Sequence, residues 1–261
     1  MKSIARHLNP PEEAEGWLEL AGRDDAGYQL QTLRVCLARI CAKAQALFDS
    51  TVREEVWILD LLNIIKDALV LDLKYESWSE TTYETWPYHR SRMYSTPADV
   101  SDSTSHPIPQ KTLPHVYYDI LVAFVWNLYR SCLLHLHEVL LHCLDLLQSY
   151  PASLGLCIDP QATRDQSKST ISNLLSDIYD SVPFCIGDID SAGKLVKSAR
   201  RIPLAGYLLI WPLYLASVSE EPGSMRDRWI FEKLDYISRV MGIQKAGKIA
   251  RKVRKNPWDL R

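Results

Sequence analysis

Apolar residues recur at steps of three and four along most of the chain, a spacing that gathers them on one face of an α-helix. Helices are predicted over residues 30–48, 54–73, 115–148, 169–183, 199–218 and 225–241. No stretch shows sustained alternation of apolar and polar residues, and no internal repeat occurs. The pattern therefore predicts an all-α fold, either a multi-helix bundle or a solenoid-like domain.

Capping and helix-breaking residues set the limits of these helices. Ser169 can cap the fourth helix and Pro183 should stop it. The apolar segment 202–218 has 17 residues, fewer than the roughly 20 that cross a bilayer, and contains proline. It is predicted to be a buried core helix and not a membrane span, with Pro212 causing a kink or a restart.

Polar and proline-rich stretches divide the chain. Residues 1–27 are predicted to be a loose lead-in, with a short helix around 12–20, before a helical domain over 28–250. Residues 74–114 break the helical pattern, and the Ser, Thr, Pro and Asp content of STPADVSDSTSHPIPQ predicts a mobile loop at 90–112. A weaker break follows at 150–166, and residues 251–261 are predicted to form a basic tail.

Composition narrows the class of protein. The chain has 261 residues, a net charge of −2 and 47% hydrophobic residues, so it can bury a sizeable core and any basic surface is local. Six cysteines occur without a C-x-x-C pair, which indicates reduced core thiols. The first residues contain no apolar signal-peptide core, so secretion is not expected.

The stretch HLHEVLLHC (135–143) is the strongest candidate for a metal site. His137 and His142 are five residues apart, which separates their side chains by about 140° on a straight helix and prevents both from binding one ion. His135 and His142, seven apart, share a face that Cys132 and Glu138 flank. Structural zinc takes four ligands, and the remaining histidines are scattered. Half-buried histidines on a packed helix are the favoured interpretation.

A basic run, KAGKIARKVRK, occupies residues 245–255. On a helix, four of its lysines would line one side: Lys245, Lys248, Lys252 and Lys255. Such a run contacts phosphates, acts as a nuclear import signal, or forms a solvated terminal helix whose charges suit the helix dipole. The solvated helix is favoured, and the other two interpretations stay open.

Four ordered segments carry a resemblance to a known family. The first, FVWNLYRSCLLHLHEVLLHC (124–143), places Trp-Asn-x-Tyr-Arg at the start of a long helix. LLSDIYDSVPFCIGD (174–188), AGYLLIWPLYLAS (205–217) and RDRWIFEKLDYISRVMGIQKA (226–246) follow in order. Their succession, over roughly residues 30–250, resembles the C-terminal part of the fungal-specific transcription factor domain. That domain lies downstream of the binuclear zinc cluster in fungal regulators.

The resemblance implies an all-helical, bundle or solenoid-like regulatory domain. It further implies a nuclear protein concerned with RNA polymerase II transcription, without a catalytic centre, cofactor or metal. Other regulatory proteins, a small effector or a second copy of the chain are the expected partners. The cysteine-dense basic zinc cluster is missing from this sequence, so direct DNA binding is doubtful. A fragment, a truncated product and a stand-alone regulator all remain open.

Chemical motifs add two alternatives and one structural hypothesis. No G-x-S-x-G, P-loop or G-x-G-x-x-G motif occurs. The alternatives are a metal-dependent enzyme that uses the 132–143 helix and a cytoplasmic helical adaptor. Asn127 and Arg130 are three residues apart and therefore neighbours on one helix face. These two side chains are predicted to satisfy carbonyl groups at a neighbouring helix end or to pair with an acid such as Asp177 or Asp180.

Overall fold

The computed structural model describes residues 25–50, 55–91, 113–148, 159–196 and 202–255. Within these ranges the chain forms seven helices and two very short strands. The helices are α1 (Ala26–Phe48), α2 (Glu55–Thr85), α3 (Ile120–Leu147), α4 (Pro160–Ile186), α5 (Pro203–Ser219), α6 (Met225–Arg239) and α7 (Gln244–Lys255). Strands β1 (His89–Arg90) and β2 (His115–Val116) pair antiparallel, with Arg90 opposite His115. The predicted all-α fold is confirmed.

The chain divides into two compact units. The first comprises α1, α2 up to Glu84, α3 from Cys132 and α4 up to Asn173. The second comprises residues 85–131 and 174–260, and therefore holds both strands, the remaining parts of α3 and α4, and α5 to α7.

In the first unit, two indole hydrogen bonds tie α1 to α2. The Trp57 indole donates to the carbonyl of Leu47 at 3.1 Å, and the Trp78 indole donates to the carbonyl of Ala26 at 2.9 Å. Because the end of α1 meets the start of α2 and its start meets the later part, the two helices are antiparallel. Both helices have a buried side, which includes Leu37 and Ala44 on α1 and Leu61 and Ala68 on α2.

Helix α2 is longer than predicted. The expected end at residue 73 and the break from residue 74 are wrong, since the helix continues to Thr85. Its buried stripe continues through Leu71, Tyr75, Trp78 and Thr82 at steps of four, three and four. The polar residues between them face solvent, so the polarity of the segment hid its period. Arg90 lies in β1, and most of the loop predicted at 90–112 falls outside the described residues.

Helix α4 is also longer at both ends than the predicted 169–183. It begins at Pro160 because the Asp159 carboxylate caps it, accepting from the backbone N–H groups of Gln161 at 2.9 Å and Ala162 at 3.1 Å. Pro183 does not stop it. The proline lies in the last turn of the helix, and its own carbonyl accepts from the backbone N–H of Asp188 at 2.9 Å.

The remaining boundaries differ by a few residues. Helix α3 starts at Ile120 and not at residue 115, because His115 and Val116 pair as β2. Helix α1 starts at Ala26, slightly inside the predicted lead-in, and the short helix predicted around 12–20 lies outside the described residues. Residues 251–255 of the predicted tail belong to α7.

The two most apolar helices are largely buried. Helix α5 is the predicted core helix, and it runs through Pro212 without a restart. Among the described residues, α3 is long and apolar enough to cross a membrane, but 67% of the relevant window is buried inside the protein. A buried core helix can have the same length and apolar composition, so these two features do not by themselves indicate a membrane span.

Candidate functional site

Buried polar groups of the second unit converge on the guanidinium of Arg130. Helix α3 supplies this arginine, β2 and the residue that follows it supply His115 and Tyr117, and α4 supplies two carboxylates three residues apart. We call this group the Arg130 cluster; its members are His115, Tyr117, Arg130, Asp177 and Asp180.

Arg130 is only 1% exposed, so its charge depends on protein partners. One terminal nitrogen donates to the Tyr117 hydroxyl at 2.6 Å and to Asn127 Oδ1 at 3.0 Å. Its Nε lies 3.8 Å from Asp177 Oδ2. The sequence-based pairing of Arg130 with Asp177 or Asp180 is thus confirmed for Asp177.

Aromatic rings surround the same guanidinium. Its central carbon lies 5.0 Å from the centre of the Tyr88 ring and 5.9 Å from those of Tyr117 and Trp126. These separations fall within the range of cation–π attraction. The Trp126 indole donates to the carbonyl of Trp86 at 2.9 Å, which fixes that ring in place.

His115 is fully buried between two arginines. Its Nδ1 lies 3.3 Å from both the Tyr117 hydroxyl and an Arg130 nitrogen, and its Nε2 lies 3.3 Å from Arg90 Nε. Burial, together with the charges of Arg130 and Arg90, lowers the pKa of His115 to about 2. The ring is therefore neutral, and only one of its two nitrogens lacks a proton and can accept a hydrogen bond. Only one of the two guanidinium groups, that of Arg90 or that of Arg130, can then donate to the ring.

The two carboxylates differ in environment. Asp177 accepts from Arg90 at 3.0 Å and keeps some solvent access. Asp180 is only 4% exposed, and its Oδ1 has no hydrogen-bond partner among the described residues. Burial raises the pKa of Asp180 to about 7, although the nearby Arg90 opposes the shift; the charge of Asp177 adds to it. Asp180 therefore binds a proton much more readily than an ordinary aspartate does.

Three members of the cluster could hold a cation. Ligand atoms of His115, Asp177 and Asp180 lie within 4.8 Å of one another, in the one such group among the described residues. Neutral imidazole and carboxylates are ligands that zinc accepts. However, Arg90 and Arg130 already supply the positive charge that the carboxylates need. Arg90, whose side chain is 55% exposed, would therefore compete with a metal ion for Asp177.

The histidines that the sequence singled out on α3 belong to the first unit and not to this cluster. His142 packs edge-on against Phe48 with ring centres 4.3 Å apart but is exposed, whereas His135 is partly buried. The half-buried environment predicted for these histidines is therefore wrong for His142. His137 is 2% exposed and lies 3.2 Å from an Asp72 oxygen. Burial raises the pKa of the Cys132 thiol. These residues do not form a three-ligand group within the described part of the chain.

An open groove in the first unit lies between α1 and α2. Its volume is about 790 Å³, and its walls include Trp57, Asp60 and Asn63. A Lys43–Asp67 ion pair at 3.1 Å lies at the same groove. A cavity of this size and mixed polarity is large enough for a small effector.

Sequence reasoning missed the contribution of β2 to the Arg130 cluster. His115 and Tyr117 come just before a helix, in a segment too short to show a period. Their register against β1 is what brings Arg90 to His115. The sequence did suggest that Arg130 pairs with Asp177 or Asp180. That suggestion identified three members of the cluster and missed His115 and Tyr117.

Comparisons of the chain with protein-family models, curated proteins and solved structures found no match in any of the three.

Proposed function

We propose that the chain is a helical regulatory or interaction domain that takes part in the regulation of RNA polymerase II transcription in a fungus. In this proposal it acts in the nucleus and has no catalytic centre. The support is the order and spacing of the four sequence segments that resemble the fungal-specific transcription factor domain. The first of these segments contains Trp126, Asn127 and Arg130.

The observation that carries the proposal is that the three named side chains of the first segment pack inside the protein. Trp126, Asn127 and Arg130 are all at least 97% buried, and their polar groups bond to neighbouring protein groups. Asn127 accepts from Arg130, and its amide lies 3.8 Å from the sulfur of Cys185. Side chains of one sequence pattern that bond to one another help to specify a fold. A structural role of this kind is what a regulatory domain without a catalytic centre requires of its characteristic residues.

In this proposal, signals reach the domain through partner proteins, a second copy of the chain or a small effector. The groove between α1 and α2 is the concave surface that an effector would use. Its Lys43 and Asp67 offer both signs of charge at the rim. An effector with polar groups at one end and an apolar body would match these walls and the Trp57 ring.

A tethering experiment tests the function. The whole chain is fused to an unrelated DNA-binding module and placed at a reporter promoter in yeast, and reporter RNA is measured. We expect the RNA level to change several-fold relative to the module alone. The same fusion carrying Arg130→Met, in which the second unit is destabilised, should lose the effect. Unchanged RNA with the intact, nuclear fusion would contradict the proposal.

A cation-dependent function is the second candidate, and the grouping of His115, Asp177 and Asp180 is the observation that favours it. This grouping differs from the site around His135, His142 and Cys132 suggested by the sequence. Metal analysis of protein purified without chelators decides between them. Stoichiometric zinc that Asp180→Asn removes would assign the first site, and zinc that His142→Asn removes would assign the second.

The cytoplasmic adaptor is tested by location. The chain carries a fluorescent tag, and residues 245–255 are deleted or their cations are replaced by glutamine. Nuclear accumulation that both changes abolish supports the nuclear proposal and an import role for the basic run. Cytoplasmic residence of the intact chain would favour the adaptor.

A further inference from the structure

The last three helices of the second unit form a distinct arrangement around a short turn. Four residues, 240–243, connect α6 to α7, and Gly242 in this turn has a φ of +75°. Such a conformation suits glycine because it has no Cβ. A helix, a short turn and a second helix are features of both αα-hairpins and the helix-turn-helix unit, and in the latter the second helix enters the DNA major groove.

Close packing fixes α7 against its neighbours. Ala246 is fully buried. A Cβ added to Gly247 would lie 2.6 Å from Ser238 Oγ on α6, so the two helices meet there without space for a side chain. On α5, a Cβ added to Gly206 would lie 2.6 Å from Met241 Sδ in the same way. The buried side of α7 is therefore occupied, and its opposite side is held toward solvent.

The exposed side of α7 is cationic. Lys245, Lys248 and Arg251 recur at steps of three and are all exposed. Among the described residues, no carboxylate lies within ion-pair distance of these three side chains. The helix contains no acid, and its last four residues add three more basic ones. With a net charge of −2 for the whole chain, this concentration of positive charge is local.

Polar and aromatic groups stand beside these cations. Gln244 is exposed at the start of α7. The Lys245 ammonium lies 5.3 Å from the centre of the Tyr207 ring on α5, and Tyr207 is 49% exposed. Lysine, arginine and glutamine are side chains that contact phosphates and base edges in the major groove.

We propose that α7 binds double-stranded DNA, with Lys245, Lys248 and Arg251 contacting its phosphates. Charge complementarity identifies the partner, because a line of unpaired cations on a rigid helix matches a regular line of phosphates. A membrane surface fits less well, since a helix that lies on lipid buries an apolar face in it. The apolar side of α7, around Ala246, already packs inside the protein.

This inference goes beyond the proposed function, because a regulator that acts only through partners needs no contact with DNA. It supplies a DNA-contacting element within the 261 residues of this sequence, which contain no zinc-cluster motif. The two proposals fail separately. A tethered fusion can change transcription without α7 binding DNA, and α7 can bind DNA in a protein that leaves a promoter unaffected.

The test measures binding of the full chain to a fluorescently labelled duplex by anisotropy. We expect a micromolar dissociation constant at about 50 mM salt and, for three phosphate contacts, about 40-fold weaker binding at about 200 mM. The variant K245E/K248E/R251E should bind at least about ten-fold more weakly, since each contact releases counterions. Thermal melting followed by circular dichroism checks that the variant is folded, and K245Q/K248Q/R251Q replaces it if it is not.

A charge-matched control makes the test specific. The variant K66E/K74E/K168E changes the net charge by the same amount at three exposed positions on α2 and α4, and it should bind nearly as the parent does. An equal loss in both variants would overturn the proposal. So would absence of duplex binding up to about 100 μM at low salt. Stronger binding to phosphatidylserine vesicles than to the duplex would overturn it in favour of a membrane surface.

Discussion

The second unit carries positive charge in two contrasting places, the buried Arg130 and the exposed face of α7. Arg130 is 1% exposed and bonds to Tyr117 and Asn127 beside Asp177. Lys245 and Lys248 are exposed and have no carboxylate partner among the described residues. A buried charge must be compensated by the protein, whereas an exposed one is compensated by water. The first kind therefore specifies a fold, and the second remains available to a partner.

The surroundings of the two cations follow from this difference. The guanidinium of Arg130 has three aromatic rings within 5.9 Å, and these rings exclude water from it. Lys245 has the Tyr207 ring beside it and solvent on its other sides. Removing the charge should consequently destabilise the fold in the first case and leave it nearly unchanged in the second.

The largest effect is expected for Arg130→Met. The substitution leaves the buried Tyr117 hydroxyl and Asn127 Oδ1 without their donor and removes one of the two cations beside Asp177. The free energy of unfolding should therefore fall by about 3–5 kcal/mol. Urea denaturation followed by circular dichroism and tryptophan fluorescence measures this, and comparing the two probes shows whether the units unfold together.

Arg239→Met is the matched control for that experiment. Arg239 is 78% exposed in its side chain and pairs with Asp235 one turn earlier at 2.9 Å. Exposed pairs of this type contribute less than about 0.5 kcal/mol. A loss for Arg130→Met no larger than that for Arg239→Met would show that the buried charge does not hold the second unit together.

A pH-dependent effect is expected for Asp180. Its pKa is about 7 in the folded protein against an ordinary aspartate value of 3.8, so the folded state binds the proton more tightly than the unfolded chain does. Stability from this group is therefore present at low pH and is lost as the pH rises between about 4 and 7. Asp180→Asn removes the loss. Its stability relative to the parent should rise with pH over this range, by up to about 1.4 kcal/mol per pH unit.

His115 provides the opposite sign in the same cluster. Its pKa is about 2 in the folded protein against an ordinary histidine value of 6.5, so below about pH 6.5 the unfolded chain takes up a proton that the folded chain excludes. Stability from this group falls as the pH falls. His115→Asn should therefore gain relative stability toward low pH, while Asp180→Asn gains toward high pH. Parallel slopes for both variants in urea denaturation would refute the assignment.

An intermediate effect is expected where α7 meets α6. In Gly247→Ala the new methyl group would lie 2.6 Å from Ser238 Oγ and 3.2 Å from its Cβ, so the hydroxyl must rotate away or the helices must move apart. Overpacking of this kind costs about 1–3 kcal/mol, and the better helix propensity of alanine offsets up to about 1 kcal/mol. The double variant Gly247→Ala with Ser238→Ala should recover part of the loss in thermal melting. Strictly additive losses would show that the two residues do not touch.

The sequence predicted the helices whose apolar period is regular and misjudged those whose ends are polar. Helix α6 was predicted to within two residues because Ile230, Leu234 and Ile237 mark its buried side. Helix α4 was shortened because the residues after Pro160 are mostly polar and exposed. Its true start depends on one capping side chain, Asp159, whose hydrogen bonds only the folded backbone reveals.

The candidate site was predictable in the same partial way. Arg130 lies on a helix predicted to be buried, so its charge was expected to need an acidic partner. Asp177 was correctly named as one candidate. The unpaired oxygen of Asp180 and the neutral state of His115 depend on packing between separate elements, which no local pattern encodes. The turn that presents α7 was likewise hidden, since Gly242 shows its role only through its φ angle.

The smallest effect is expected for single cations of α7, and it separates the two kinds of charge most directly. Lys245→Gln removes a contact with the Tyr207 ring, worth about 0.5 kcal/mol at an exposed site. Lys248→Gln removes no ring contact or ion pair seen among the described residues, so its effect on stability should be smaller still. Urea denaturation should place both within about 0.5 kcal/mol of the parent, while each weakens duplex binding. A loss above about 1 kcal/mol for Lys248→Gln would mean that this cation is structural, and the contrast with Arg130 would disappear.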